Sequence, residues 1–206
     1  MVGDLSTLPF HAAGIFTGPD QDHVGNHVVS SYAPTFPALY RALEHTLLCK
    51  PEAHTPQMLL VANAQDDLPY VRMEVDVIRS IVPPQFLLDV PVSDYSLTVE
   101  DALAALPHAN ILHLACHGRQ DPMSPFNSGF ELANGRLTVE QLMRVRTPIH
   151  AQLAYLSTCE SAAQDRLRPE EGLNLAATML HAGFKSVIAS MWCAIPSLCN
   201  PSIEEC

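Results

Sequence analysis

The sequence predicts an α/β fold in which a mostly parallel central sheet is flanked by helices. Three observations carry this. From Pro34 onward the apolar residues alternate between helical spacing and strand-like runs. Three of those runs, Met58 to Ala62, Asn110 to Ala115 and Gln152 to Ser157, are short and largely apolar, which suits strands covered on both faces. The segments between them carry the proline, glycine and capping signals that start and stop helices.

Taken in order, the first helix is expected over Phe36 to Leu48, where Leu39, Leu43 and Leu47 recur every fourth residue. The strand Met58 to Ala62 follows. Asp67 and Pro69 signal the start of a second helix whose Val71, Val75, Ile78 and Val82 form one stripe, and Pro83-Pro84 stops it. A strand is expected over Gln85 to Leu88. Thr98 is placed to cap the next helix, with Leu103 and Leu106 inward, ahead of the strand ending at Ala115. A long loop, Arg119 to Gly129, leads through Phe130-Glu-Leu132 to a turn at Asn134-Gly135. Thr138 with Gln141 has the spacing of a capping box for a short helix containing Val139, Leu142 and Met143. After the strand ending at Ser157 come a polar loop and a helix from about Pro169-Glu-Glu171. Its Leu173, Ala176, Ala177 and Leu180 share a face, and Gly183 ends it. Lys185 to Trp192 is the last expected strand. The segment before Pro34 has no regular periodicity, and residues 193–206 read as an irregular tail after a domain spanning 1–192.

At 206 residues, with 48% hydrophobic and 16% charged content, the chain is long enough for one domain with a sizeable core. A formal net charge of −11 argues against nucleic acid as a partner, since binding to phosphate backbones depends on clustered Lys and Arg. No stretch combines the roughly 18-residue length and sustained apolar character of a membrane-spanning helix, and the N-terminus lacks a basic region followed by an apolar one. The expectation is a cytoplasmic protein without a membrane partner. Six cysteines, at positions 49, 116, 159, 193, 199 and 206, show no framework spacing and are read as reduced thiols.

The chemistry concentrates in two places. The run His113 to Gly118 leads an apolar strand into a His-Gly pair, and the strand Gln152 to Ser157 leads into Cys159. With period-two alternation, His113, Ala115 and His117 point to one side of the strand while Leu112, Leu114 and Cys116 point to the other. His113 and His117 then lie about 13 Å apart at ~3.3 Å per residue, too far to share a metal, which disfavours a zinc site of His113, Cys116 and His117. The leading expectation is a site without metal or organic cofactor, with a zinc-binding regulatory domain as a rival. His113 reads as a core histidine hydrogen-bonded to backbone, and Cys116 as an inert buried thiol. His117 and Cys159 stand at the C-terminal edges of their strands, where open α/β sheets place binding crevices. Catalysis and a structural role are both open for this pair on pattern alone. If they meet, an imidazole can take the thiol proton and the thiolate can attack a carbonyl. Gly118 is either a plain turn glycine or, with the N–H of Cys159, a donor to the developing oxyanion. Asp121, Glu160 and Asp165 lie near the same strand ends and either line a pocket for a basic side chain or are solvated loop charges.

The blocks ILHLACHG, SGFELANGRLTVEQLM, LAYLSTCES and EEGLNLAATMLHAGFKSVIASMW, in this order, resemble the CHAT domain, a caspase- and separase-like cysteine peptidase family of clan CD. The upstream STLPFHAAGIF and VVSSYAPT resemble its N-terminal blocks, particularly as found in fungal proteins with tetratricopeptide repeats, so the likeness runs from about Leu5 to Trp192. It implies a caspase-like three-layer sandwich, His117 as general base or thiolate partner, Cys159 as nucleophile, and Gly118 as the glycine of an HG motif that donates to the oxyanion. It also implies peptide-bond cleavage in partner proteins, which a repeat region in fuller-length relatives helps recognise. The chain departs from the family pattern after Trp192, where CAIPSLCNPSIEEC stands in place of further elements. A domain incomplete at its C-terminal end is therefore expected. A catalytically inactive protein-interaction module on the same fold is the alternative.

Overall fold

The computed structural model describes residues 8–17, 22–48, 55–65, 68–91, 94–121, 123–145, 147, 151–158 and 174–190. A short hairpin of β1 (Gly14–Ile15) and β2 (Asp22–His23) precedes helix α1 (Phe36–Leu48), which has the bounds its leucine spacing predicts. Its Phe36, Leu39, Tyr40 and Leu43 are exposed rather than packed. Then follow β3 (Met58–Ala62), α2 (Tyr70–Ile81), α3 (Val99–Ala105) and β4 (Ile111–Ala115). Next come β5 (Gly118–Arg119), β6 (Gly129–Leu132), β7 (Gly135–Thr138) and α4 (Val139–Arg144), and last β8 (Leu153–Ser157), α5 (Leu175–Ala182) and β9 (Ser186–Ala189).

The central sheet has the strand order β3-β4-β8-β9, every pair parallel. Helices cover it on two sides, giving the α/β layering expected and a form consistent with a caspase-like fold. On one face Leu59, Val61, Leu112, Leu114, Cys116, Ala154 and Leu156 pack against Ala102 of α3, Leu142 of α4 and Leu175 and Met179 of α5. On the other, Leu60, Ala62 and Ala115 pack against Val71 and Val75 of α2. Each large side chain buried in this way contributes about 1.5–3 kcal/mol. A second, antiparallel sheet of order β5-β6-β7 turns Phe130 and Leu137 into the larger core. Among the described residues, no helix is long and apolar enough to cross a membrane.

The expected start and stop signals act as read, with three corrections. The Thr98 hydroxyl accepts from the Asp101 N–H, and Thr138 with Gln141 forms the reciprocal capping box, each such cap worth about 1 kcal/mol. Gly183 closes α5 at φ 118°, a conformation that costs a β-carbon dearly. The strand expected over Gln85 to Leu88 is instead a 3-10 turn, Pro84–Phe86, followed by one bridge from Leu87 to Met58. Pro83 and Pro84 fix φ and remove two N–H donors, so the run is too short to hold a ladder. The loop expected from Arg119 is shortened because Gly118–Arg119 pairs with β6. In α5 the cap is Asn174, whose side chain accepts from the Ala177 N–H, and the buried residues are Leu175, Ala177, Thr178 and Met179. Of the four residues assigned to the inner face, Ala177 is buried, Ala176 and Leu180 are half-buried, and Leu173 lies outside the described residues, as do Asp67 and Pro169 to Glu171.

Candidate functional site

The β4–β8 ladder sets the geometry. Ile111 pairs with Leu153, and the pairing continues without a slip to Ala115 opposite Ser157, a constant offset of 153 − 111 = 42. His117 lies just beyond Ala115 and is half-buried. Its carbonyl accepts from the Glu131 N–H at 2.9 Å, which makes Gly118 opposite Phe130 the non-hydrogen-bonded pair of the β5–β6 ladder. The N–H of Gly118 therefore turns away from β6, toward the side of β5 that pairs with no strand among the described residues. Phe130 and Leu137, on the same face as Gly118, are buried, so His117, Arg119, Glu131 and Arg136 share the opposite, outer face.

Charges cluster on that face. Both Nε and Nη2 of Arg136 bond Oε1 of Glu131, at 2.9 and 2.8 Å, and Arg119 Nε reaches the same oxygen at 3.2 Å. Behind them Asn63, buried at the end of β3, donates its side-chain amide to the Glu131 carbonyl at 2.9 Å and its N–H to the Ala115 carbonyl at 3.0 Å. The strand end that carries His117 is thus held from both sides.

The other motif residues fall as alternation requires. Cys116 is buried in the apolar core, where burial, aided by the Glu131 carboxylate, pushes its thiol pKa far up; it stays protonated. His113 is buried on the α2 face, as expected, but its partner is a side chain rather than backbone. Its Nε2 lies 2.8 Å from Oε1 of Glu74, and its ring stacks on Tyr155 with centroids 5.0 Å apart and planes 7° apart. Ser157 donates its hydroxyl to the second Glu74 oxygen at 3.0 Å. Burial alone raises the Glu74 carboxyl; the hydrogen bonds from His113 and Ser157, with the electrostatic attraction of the His113 ring, outweigh it and hold the group below the ordinary glutamate value.

Asp121 closes its own loop: Oδ1 accepts the N–H groups of Met123 and Ser124 at 3.0 and 2.9 Å, and its N–H donates to Ser128 Oγ. At the end of β8 the buried Thr158 accepts at its carbonyl from Ser190 Oγ at 2.7 Å. Cys159, Glu160 and Asp165 lie outside the described residues. Sequence reasoning passed over Asn63, Glu74, Glu131 and Arg136. The one signal for Glu74 was a carboxylate between Val71 and Val75 on the inner stripe of α2.

A family model, described as CHAT domain, matches residues 1–194. No curated protein matches the chain.

Proposed function

This chain belongs to the CHAT domain family, a caspase-like family related to the clan CD peptidases, and on that premise we propose that it is a cysteine endopeptidase domain working through Cys159 and His117. The observation that carries the reading is the register. Partners in the β4–β8 ladder stand 42 residues apart, and 159 − 117 = 42 as well. The equal offset supports pairing the imidazole with the thiol, each two residues past the end of its strand.

In the proposed reaction His117 takes the Cys159 proton, and the thiolate sulfur bonds to the scissile carbonyl carbon. The oxyanion is met by the N–H of Gly118, which is directed away from β6, and by that of Cys159. His117 returns the proton to the leaving amine as the C–N bond breaks, leaving a thioester. Water, deprotonated by His117, then hydrolyses the thioester and restores the thiol. No metal or organic cofactor enters. Asp121, Glu160 and Asp165 are proposed to favour a basic side chain beside the scissile bond, Asp121 with the carboxylate oxygen not committed to its turn. Substrates are proposed to be cytoplasmic proteins, with recognition assisted by tetratricopeptide repeats in fuller-length, fungal-type relatives.

The test is labelling by a thiol-directed peptidyl inhibitor. Wild type is expected to label at Cys159, with Cys159→Ala abolishing the label and His117→Ala lowering its rate by roughly 10² to 10⁴-fold, the usual worth of a general base. Labelling that persists unchanged in both variants would sink the proposal. A folded chain whose Cys159 reacts no faster than a free thiol would point instead to a non-catalytic interaction module.

A further inference from the structure

Glu74 occupies a position that the peptidase chemistry does not use. It projects from α2, and its two oxygens are divided between two strands: Oε1 takes His113 of β4 at 2.8 Å, and Oε2 takes Ser157 of β8 at 3.0 Å. A carboxylate only accepts, so the Nε2 of His113 and the hydroxyl of Ser157 are both donors here. The Tyr155 ring lies flat on His113 from the adjacent strand and fixes the plane of the imidazole. One side chain therefore clamps the two strands whose continuations carry His117 and Cys159. Ser157 belongs to the last ladder pair, with Ala115, before both strands leave the sheet.

The chemistry of the clamp is a poor choice for stability alone. A half-buried ion held by two donors loses much of its gain to desolvation, and apolar side chains of similar volume commonly pack there as well or better. What the bridge supplies is a fixed relation between two strand ends. Sliding one strand against the other by 1 Å is enough to misalign a proton transfer between groups they carry.

We propose that Glu74 is a positioning residue for the Cys159–His117 pair, acting through His113 and Ser157 to hold the ends of β4 and β8 in step; this rests on the peptidase reading above. Its proposed effect is on the alignment of the pair, not on the chemical step itself.

The experiment is iodoacetamide alkylation of Cys159 in the full chain, followed by mass spectrometry across the neutral pH range, with melting by circular dichroism alongside. Wild type is expected to react as a His-assisted thiolate, and His117→Ala as an ordinary thiol. Glu74→Met, which fills the space without an acceptor, is expected to slow alkylation near neutral pH by roughly tenfold and to move the pH profile toward that of His117→Ala. Glu74→Gln, which keeps one acceptor oxygen and the same size, should fall between, and it decides the matter if the Met variant does not fold. A Glu74 variant that melts at lower temperature but keeps the wild-type profile, while His117→Ala shifts it, overturns the positioning role and leaves the dyad standing. A His117→Ala profile that overlays wild type removes the dyad, and this inference with it.

Discussion

The two faces of the central sheet are built from alternate residues of the same strands, yet they differ sharply. On the face toward α3, α4 and α5, a row across the strands runs Leu59, Leu112, Ala154 and Val187, with the first three sealed from solvent. On the face toward α2, the neighbouring row runs Leu60, His113, Tyr155 and Ile188, at 8%, 8%, 40% and 51% exposure. Burial fades from β3 to β9 because, among the described residues, α2 covers only the β3–β4 side. The first face is a dry core. The second mixes apolar packing with the ionic bridge of Glu74, and His117 leaves β4 beyond it. The contrast teaches that one face supplies the cohesion of the domain, while the other spends buried polar groups on orientation.

If the faces divide labour in this way, substitutions should sort accordingly. The largest effect is expected from Leu114→Ala in the dry core: loss of a fully buried side chain should cost about 2–5 kcal/mol in chemical denaturation. A cost below about 1 kcal/mol would break the comparison at its stronger side.

Glu74→Ala should cost less, about 1–3 kcal/mol, because it strands the donors of His113 and Ser157 at the margin of the sheet. Double-mutant cycles with Ser157→Ala should show coupling between the two residues.

A smaller, pH-dependent effect sharpens the same point. Since folding lowers the Glu74 pKa, its ionised form contributes stability that is complete above the ordinary value of 4.5 and is lost as pH falls through the lower folded value. The difference in melting temperature between wild type and Glu74→Gln should therefore shrink steadily below pH 4.5. A difference that grows on acidification would contradict the bridge. The smallest change is expected at the bare end of the second face, where Ile188→Thr should alter stability by no more than about 0.5 kcal/mol.

Much of the fold was legible because its cues are local. The bounds of α1, the strand Met58–Ala62 and the Thr138–Gln141 capping box follow from spacing within a dozen residues. Alternation along β4 also separates Cys116, in the larger core, from His113, which faces α2. Errors came where neighbours in space decide. Gln85 to Leu88 has a strand's composition but follows two prolines and finds a single bridge. Gly118–Arg119 becomes a strand only because Gly129 and Phe130 return beside it. The partner of His113 is not legible from its own segment because Glu74, the carboxylate it meets, is 39 residues away in the chain.

For this protein, then, the amino-acid sequence by itself determined the alternating elements, the sorting of β4 side chains onto two faces, and the chemical identity of the His117 and Cys159 candidates. Periodicity and residue type are properties of the chain, so no partner is needed to read them. Tertiary structure alone decided that β4 and β8 are neighbours, that they pair at the same 42-residue offset that separates His117 from Cys159, and that Glu74 ties both to α2. A strand's own apolar pattern restricts its register, but which strand it pairs with and which distant side chains it meets depend on the segments brought together when the core closes.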